Sequence, residues 1–146
     1  MTEPGKYRIL EFKEYGDERG NLVVAEGDGM DIPFRIQRVF YMYGSDDSVV
    51  RGQQANLESE FVLINVSGSS KVLVDDGFRR EIISLDRPRM GLYLGPMIWK
   101  EMYEFSPDSV LLVLASTHYR EQEYIRSYDE FLKLIRGEQE KREFHE

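Results

Sequence analysis

Phe61-Val-Leu-Ile-Asn-Val-Ser-Gly-Ser-Ser-Lys-Val-Leu-Val74, followed by Asp75-Asp-Gly77 and Arg80-Glu-Ile-Ile-Ser-Leu85, decides the fold class. Three short runs rich in β-branched and aliphatic residues are punctuated by Ser-Gly-Ser-Ser and Asp-Asp-Gly. Such runs read as strand, tight turn, strand, tight turn, strand. The same rhythm extends both ways. Upstream lie Tyr7–Lys13, the turn Gly16-Asp-Glu-Arg-Gly20, Asn21–Ala25, a loop holding Gly27 and Gly29, and Arg35–Tyr43. In Arg35–Tyr43 both alternating faces carry apolar groups, so a strand between two layers is expected there. Downstream, Trp99–Phe105 and Val110–Ala115 flank the turn Ser106-Pro-Asp108. Strands at this spacing, joined by Gly, Pro, Asp and Ser, indicate a β-sandwich or a β-barrel.

Only the end of the chain changes period. From Glu121 onward, Tyr124, Ile125, Tyr128, Phe131, Leu132 and Ile135 fall at helical spacing, with Gly137 as a stop. One amphipathic helix over 121–136 is therefore expected, packed on the β-structure or on a second subunit. The domain reading is a single unit over residues 1–137 and a charged tail over 138–146.

The 146 residues suit one domain. A chain of this size buries roughly 70% of its unfolded surface, enough for a core without staples. Cysteine is absent, which removes disulfides, thiolate metal sites and a cysteine nucleophile together. With 19 basic and 27 acidic residues the formal charge is −8, a field that repels nucleic acid and anionic lipid. The run Val110–Ala115 is too short to span a bilayer, and the first ten residues lack a signal-peptide core. A cytoplasmic protein with no nucleic-acid or membrane partner is the expectation.

The catalytic inventory is thin. The two histidines, His118 and His145, are not at metal-ligand spacing, and no phosphate-binding glycine loop occurs. Two polar segments stand out. Arg51-Gly-Gln-Gln-Ala-Asn-Leu-Glu-Ser-Glu60 opens the central strand pair, and Gly91-Leu-Tyr-Leu-Gly-Pro-Met-Ile-Trp-Lys-Glu-Met102 leads into a later strand. Without further information they read as a hairpin entry and a surface loop.

Those segments carry a resemblance. With Asp17-Glu-Arg-Gly-Asn21, Ile32-Pro-Phe-Arg-Ile36, Arg38-Val-Phe-Tyr41, Val74-Asp-Asp-Gly77, Val113-Leu-Ala-Ser116 and Tyr124-Ile-Arg126, they follow one another in the order found in one enzyme family. The chain resembles the dTDP-4-keto-6-deoxyhexose 3,4-ketoisomerases, small cupins of deoxysugar and cell-surface polysaccharide synthesis. The resemblance runs from about Phe12 to Phe131. It implies a mainly β fold, a cupin-type jelly-roll barrel with one C-terminal helix, a homodimer, and a dTDP-linked 4-keto-6-deoxyhexose bound inside the barrel.

The resemblance also marks a departure. The family pattern after Arg-Gly is x-His-Ala-His, and those places hold Gln54 and Asn56; the family's Trp-His-Glu-Met is Trp99-Lys100-Glu101-Met102. Moving a ketone between C4 and C3 needs a group that accepts and returns a proton near neutrality. Imidazole does so, whereas amides do not titrate there and offer only hydrogen bonds. Candidate catalytic positions are Gln54, Asn56, Lys100 and Tyr41, with Lys100, Glu60 or a tyrosine as the substitute proton carrier. Candidate substrate contacts are Arg19, Arg38, Arg51, Glu60, Tyr43, Tyr93 and Trp99: arginines for the diphosphate, aromatic faces for base or sugar. No cofactor and no metal are expected, because amides and a lysine cation are a poor ligand set. Three readings stay open: an isomerase of this family, a non-catalytic relative that binds a sugar nucleotide or a pathway protein, and an enzyme of altered reaction.

Overall fold

The structure is a computed structural model that describes residues 3–145, with side chains as far as residue 137. The described residues form twelve strands and one α-helix. The strands are β1 (Tyr7–Glu11), β2 (Lys13–Asp17), β3 (Gly20–Val24), β4 (Arg38–Tyr43), β5 (Arg51–Asn56) and β6 (Phe61–Ser67). They continue as β7 (Ser70–Asp75), β8 (Arg80–Leu85), β9 (Met90–Leu94), β10 (Trp99–Tyr103), β11 (Val110–Ala115) and β12 (Tyr124–Ile125), before helix α1 (Tyr128–His145). Two antiparallel five-stranded sheets face each other, in the orders β1-β9-β6-β11-β4 and β12-β5-β10-β7-β8, with β2–β3 as a separate hairpin. Phe61, Leu63, Leu92, Leu94, Leu111 and Val113 of the first sheet meet Val72, Val74, Ile83, Leu85 and Met102 of the second in one buried cluster. This is the expected jelly-roll, with the core between the sheets.

The deciding stretch is placed with one correction. β7 and β8 form the hairpin expected around Asp75-Asp-Gly77, where Gly77 takes φ +97°. β6 and β7, however, are not hairpin partners, because the chain crosses from one sheet to the other at Ser67–Ser70. Buried Asn65 stitches this corner. Its amide donates to the Ser67 carbonyl and to Ser109 Oγ at 3.1 and 2.9 Å, and its carbonyl accepts from Ser70 Oγ at 2.5 Å. Gly68, at φ +65°, has no room for a Cβ, which would lie 2.9 Å from the Ser109 backbone.

Two strands lie where sequence indicated loops. β9 sits between β1 and β6 and is buried along its whole length, so it shows no alternation. Its Gly91 is required because a Cβ there would meet the Phe12 ring at 2.7 Å. β5 is a paired strand rather than a hairpin entry, bonded to β10 and β12. β4 departs in the opposite sense. It is an edge strand, not a sandwiched one, and Val39, Tyr41 and Tyr43 are 53%, 60% and 71% exposed.

The helix also starts later than its periodicity suggests. Glu121–Glu123 is a 3-10 turn, and Tyr124–Ile125 adds to the second sheet against Asn56 and Ala55. Ser127 caps α1, its Oγ accepting from the Glu130 N–H at 3.2 Å, and Ser127-Tyr-Asp-Glu130 is the spacing of a capping box. Gly137 does not end the helix, whose backbone continues to His145; the side chains of the 138–146 tail lie outside the described residues. Tyr128, Phe131, Leu132 and Ile135 pack on Ala55, Trp99 and Ile125. The barrel itself therefore covers the helix stripe.

Candidate active site

The site begins with an irregularity in β5. Gln54 is opposite Lys100 on β10, yet the next pairing is Gly52 with Glu101, so Gln53 is an extra residue. Gln53 and Gly52 both take positive φ, +55° and +85°, as a β-bulge demands. A Cβ on Gly52 would lie 2.9 Å from the Lys100 carbonyl, so glycine alone fits that position. The inserted residue shifts the alternation, bringing Arg51 to the same face as Gln54 and Asn56. That face looks between the sheets.

There the two sheets part around a cavity of about 330 Å³. Phe40, Met42, Phe61, Leu63 and Val113 of the first sheet form its apolar wall, and Met102 adds to it from β10. Arg51, Gln54 and Lys100 supply polar groups from the second sheet, and Arg126, just after β12, joins them. The arrangement is an apolar hollow with a few convergent polar groups, the usual form of a small-ligand site.

Lys100 is 5% exposed, and its Nζ lies 4.6 Å from the centre of the Phe61 ring. The amine donates to Asn56 Oδ1 at 2.7 Å. Burial pushes it down from its ordinary 10.5 to about 7, against the opposing pull of the Glu123 carboxylate. Asn56, also buried, donates its Nδ2 to Glu123 Oε1, while Glu123 Oε2 accepts the Ser59 N–H at 3.1 Å. Carboxylate, amide and amine thus form one line ending in the cavity. A second pair sits beside it: Arg126 Nη1 donates to Gln54 Oε1 at 2.9 Å, and the guanidinium stacks over Tyr124, 4.9 Å from its centre. Gln54 spends its carbonyl on that bond, which leaves its NH₂ for a ligand.

Of the positions singled out by sequence, the structure brings together Arg51, Gln54, Asn56 and Lys100. Arg38 lies on the inward face of β4, its guanidinium 5.2 Å from the centre of the Phe40 ring and within 3.5 Å of the Tyr124 hydroxyl. Its Nε is buried with no hydrogen-bond partner among the described residues. The remaining candidates lie elsewhere. Tyr41 and Tyr43 stack on each other on the outer face, because the alternation that turns Phe40 and Met42 inward turns them out. Glu60 accepts from the Tyr93 hydroxyl at 2.7 Å, and Tyr93 packs in the separate apolar cluster with Phe34, so neither reaches the cavity. Burial and the Glu60 carboxylate push the Tyr93 phenol up, which removes it as a neutral-pH acid.

Trp99 lies under α1, edge-on to Tyr128 at 5.3 Å. Arg19 is at the tip of the β2–β3 hairpin, 85% exposed and paired with Asp17, along a separate hollow of about 440 Å³. His118 is exposed. Among the described residues no three His, Asp or Glu side chains converge as a metal site would need. Sequence reasoning missed Glu123 and Arg126, both read as part of a helix; the capping spacing at Ser127 would have excluded them from it.

The family model FdtA, WxcM-like, C-terminal, matches residues 5–136. The TDP-4-oxo-6-deoxy-alpha-D-glucose-3,4-oxoisomerase of Aneurinibacillus thermoaerophilus is 44% identical over 128 residues, covering 88% of this chain and 91% of that protein. A crystallised 3,4-ketoisomerase from Helicobacter canadensis superposes with a TM-score of 0.86 at 44% identity, over 89% of this chain and 97% of that one. A variant of the 3,4-ketoisomerase QdtA from Thermoanaerobacterium thermosaccharolyticum, solved with TDP-4-keto-6-deoxyglucose, gives a TM-score of 0.87 at 39% identity, over 90% and 94%. The bulged strand, the cavity between two jelly-roll sheets and these likenesses agree: the chain belongs to the FdtA family, that of the TDP-sugar 3,4-ketoisomerases it resembles in sequence and fold.

Proposed function

We propose that this protein is a sugar-nucleotide 3,4-ketoisomerase acting on a TDP-linked 4-keto-6-deoxyhexose, in the cytoplasmic synthesis of a deoxysugar for cell-surface polysaccharide. The observation that carries the reading is Lys100, an amine buried in the wall of the cavity and held there by Asn56, where burial pushes its titration down toward neutrality. Isomerisation removes the C3 proton, passes through an enediol and delivers a proton to C4, while the hydroxyl proton moves from O3 to O4. Neutral Lys100 accepts the carbon-bound proton and, as the ammonium, returns it. The Gln54 NH₂, backed by Arg126, donates to the oxygen that gains charge in the enediol. Incubating the protein with TDP-4-keto-6-deoxyglucose in D₂O tests this by NMR. Deuterium at the sugar carbons and a 3-keto product are expected; neither exchange nor product, with the sugar nucleotide bound, would leave a binding protein without turnover.

An acidic protein needs local cations to hold a diphosphate. Arg51 faces the cavity, and Arg38 keeps a buried donor with no partner among the described residues, beside Tyr124. Arg51→Ala is expected to weaken TDP binding about 10-fold at low salt, in line with a lost charged hydrogen bond. The loss should shrink at high salt, because the attraction is partly screened. Calorimetry at two salt concentrations reads both numbers, and equal affinity of the two proteins at low salt would contradict the assignment.

A two-fold homodimer belongs to the same reading. The outer face of the first sheet leaves Val39, Tyr41, Tyr43 and Val66 between 44% and 71% exposed, with half-buried Leu112 among them. A contiguous apolar strip of this kind is the mark of an interface, and a second copy is its expected occupant. Light scattering should give twice the chain mass at micromolar concentration, and Tyr41→Glu with Tyr43→Glu should give the monomer. A monomeric wild type would refute the dimer.

A further inference from the structure

The line of groups behind Lys100 has a further meaning. We propose that Glu123 is a positioning residue, which acts through Asn56 to fix the place and the protonation behaviour of the Lys100 amine. This deepens the isomerase reading and rests on it for the reaction, though not for the behaviour of the amine itself.

The chemistry of the three groups fixes their order. A carboxylate can only accept, so the Asn56 atom that meets Glu123 is the amide nitrogen. The Asn56 carbonyl is thereby turned the other way, and it is this oxygen that takes the Lys100 proton donor at 2.7 Å. Glu123 is itself held, 3% exposed, by the Ser59 N–H at 3.1 Å. Ser59 is tied in turn through its hydroxyl to Thr117, so the anchor is built into the loop between β5 and β6. Without the carboxylate, the Lys100 donor alone holds the Asn56 oxygen in place, and the amide is free to turn over. Turned over, it presents an NH₂ to an ammonium, and the bond is lost.

The surroundings identify Glu123 as the charge that opposes the effect of burial on the amine. β5 adds Arg51 and neutral Gln54, and the segment after β12 adds Arg126, which is engaged with Gln54 and Glu121. β4 adds Phe40 and Met42, with the Arg38 guanidinium lying toward Tyr124; β6 adds Phe61 and Leu63, and its neighbour Glu60 is turned to Tyr93. β7 and β11 bring the apolar Val72, Val74, Leu111 and Val113 to the same core. Against the burial that disfavours the ammonium stands the Glu123 carboxylate, linked to Lys100 through Asn56, and its charge favours the protonated amine. Removing that charge must move the titration of Lys100 to lower pH.

The test uses Glu123→Gln in the full-length protein, with two readouts. The first is the pH profile of isomerisation, and the second is the NMR titration of ε-¹³C-labelled Lys100 without substrate. The expected result is a kcat lower by about 10- to 100-fold, the scale of a misplaced catalytic group, with KM within about threefold of wild type. The acid limb of the profile and the Lys100 titration should move down together. A fall in kcat with both titrations unmoved would mean a merely structural carboxylate and would overturn the proposal, as would an unchanged kcat. Should Glu123→Gln fail to fold, Asn56→Ser cuts the same link while leaving the Glu123–Ser59 bond. It should lower kcat to a similar extent, and an unchanged kcat there is equally fatal. If the wild type does not isomerise at all but its Lys100 titration moves in Glu123→Gln, the positioning claim stands and the isomerase reading alone falls.

Discussion

Lys100→Met is expected to lose isomerisation by roughly 10²- to 10⁴-fold, the usual contribution of a general acid–base group. The same variant should be more stable than the wild type near neutral pH. The reason is the cost of burying an amine whose folded-state value is about 7 against an ordinary 10.5. Between about 7 and 10.5 the unfolded chain carries the proton and the folded chain does not, so folding must release it. That cost grows as pH falls from 10.5 to about 7 and is constant below, where both states are protonated. At pH 7 it is on the order of 4 kcal/mol. Methionine keeps the stem and its contact with Phe61 but removes the charge, leaving the Asn56 carbonyl without its donor, a loss of about 1–3 kcal/mol. A net gain of roughly 1–3 kcal/mol remains at pH 7; it shrinks as pH rises and turns into a loss of about 1–3 kcal/mol near pH 10.5, where only the missing hydrogen bond counts. Chemical denaturation at pH 7 and pH 10 measures it. A variant that is inactive and less stable at both pH values would show that Lys100 is a packing residue.

The same opposition explains which parts of the molecule were legible in the sequence. Where a β-branched run is bounded by clear turns, pattern suffices: β7, β8 and β11 lie within a residue of their expected positions. β9 was hidden because both of its faces are covered, and β5 because Arg-Gly-Gln-Gln is a bulge written in polar residues. Face assignment failed for Tyr41, Tyr43, Tyr93 and Trp99 because apolar residues line three surfaces of this fold: the cavity, the bed of the helix and the outside of the first sheet. Nothing in a single sequence says which surface a given aromatic residue covers. Gln54, Asn56 and Lys100 were legible only through family resemblance, and their geometry rests on one inserted residue. Glu123 and Arg126 were lost in a run of helical periodicity that the short strand β12 interrupts.

Glu123 also bears on what position 56 can hold. A buried carboxylate that accepts from the side chain at 56 is the partner an imidazole needs to fix its tautomer and orientation. The resemblance implies a histidine at that place, where this chain has an asparagine beside the carboxylate. Adding Asn56→His to Lys100→Met should therefore rebuild a proton carrier with a different group. The imidazole would donate one N–H to Glu123 and present its other nitrogen to the cavity left by the amine. The double variant is expected to isomerise at least about 10²-fold faster than Lys100→Met alone, the lower end of what such groups contribute. Its pH profile should report the histidine rather than the lysine. A free imidazole titrates near 6.5; burial at position 56 pushes that value down and the Glu123 carboxylate pushes it up, so the acid limb reports the balance of the two. Adding Glu123→Gln to this double variant should lower the limb and most of the rate, since the ring loses both its orientation and its counter-charge. Activity that stays at the Lys100→Met level, in a folded protein that still binds TDP, would show that the cavity does not place a sugar within reach of position 56. The proton would then have to be carried from the β10 side alone.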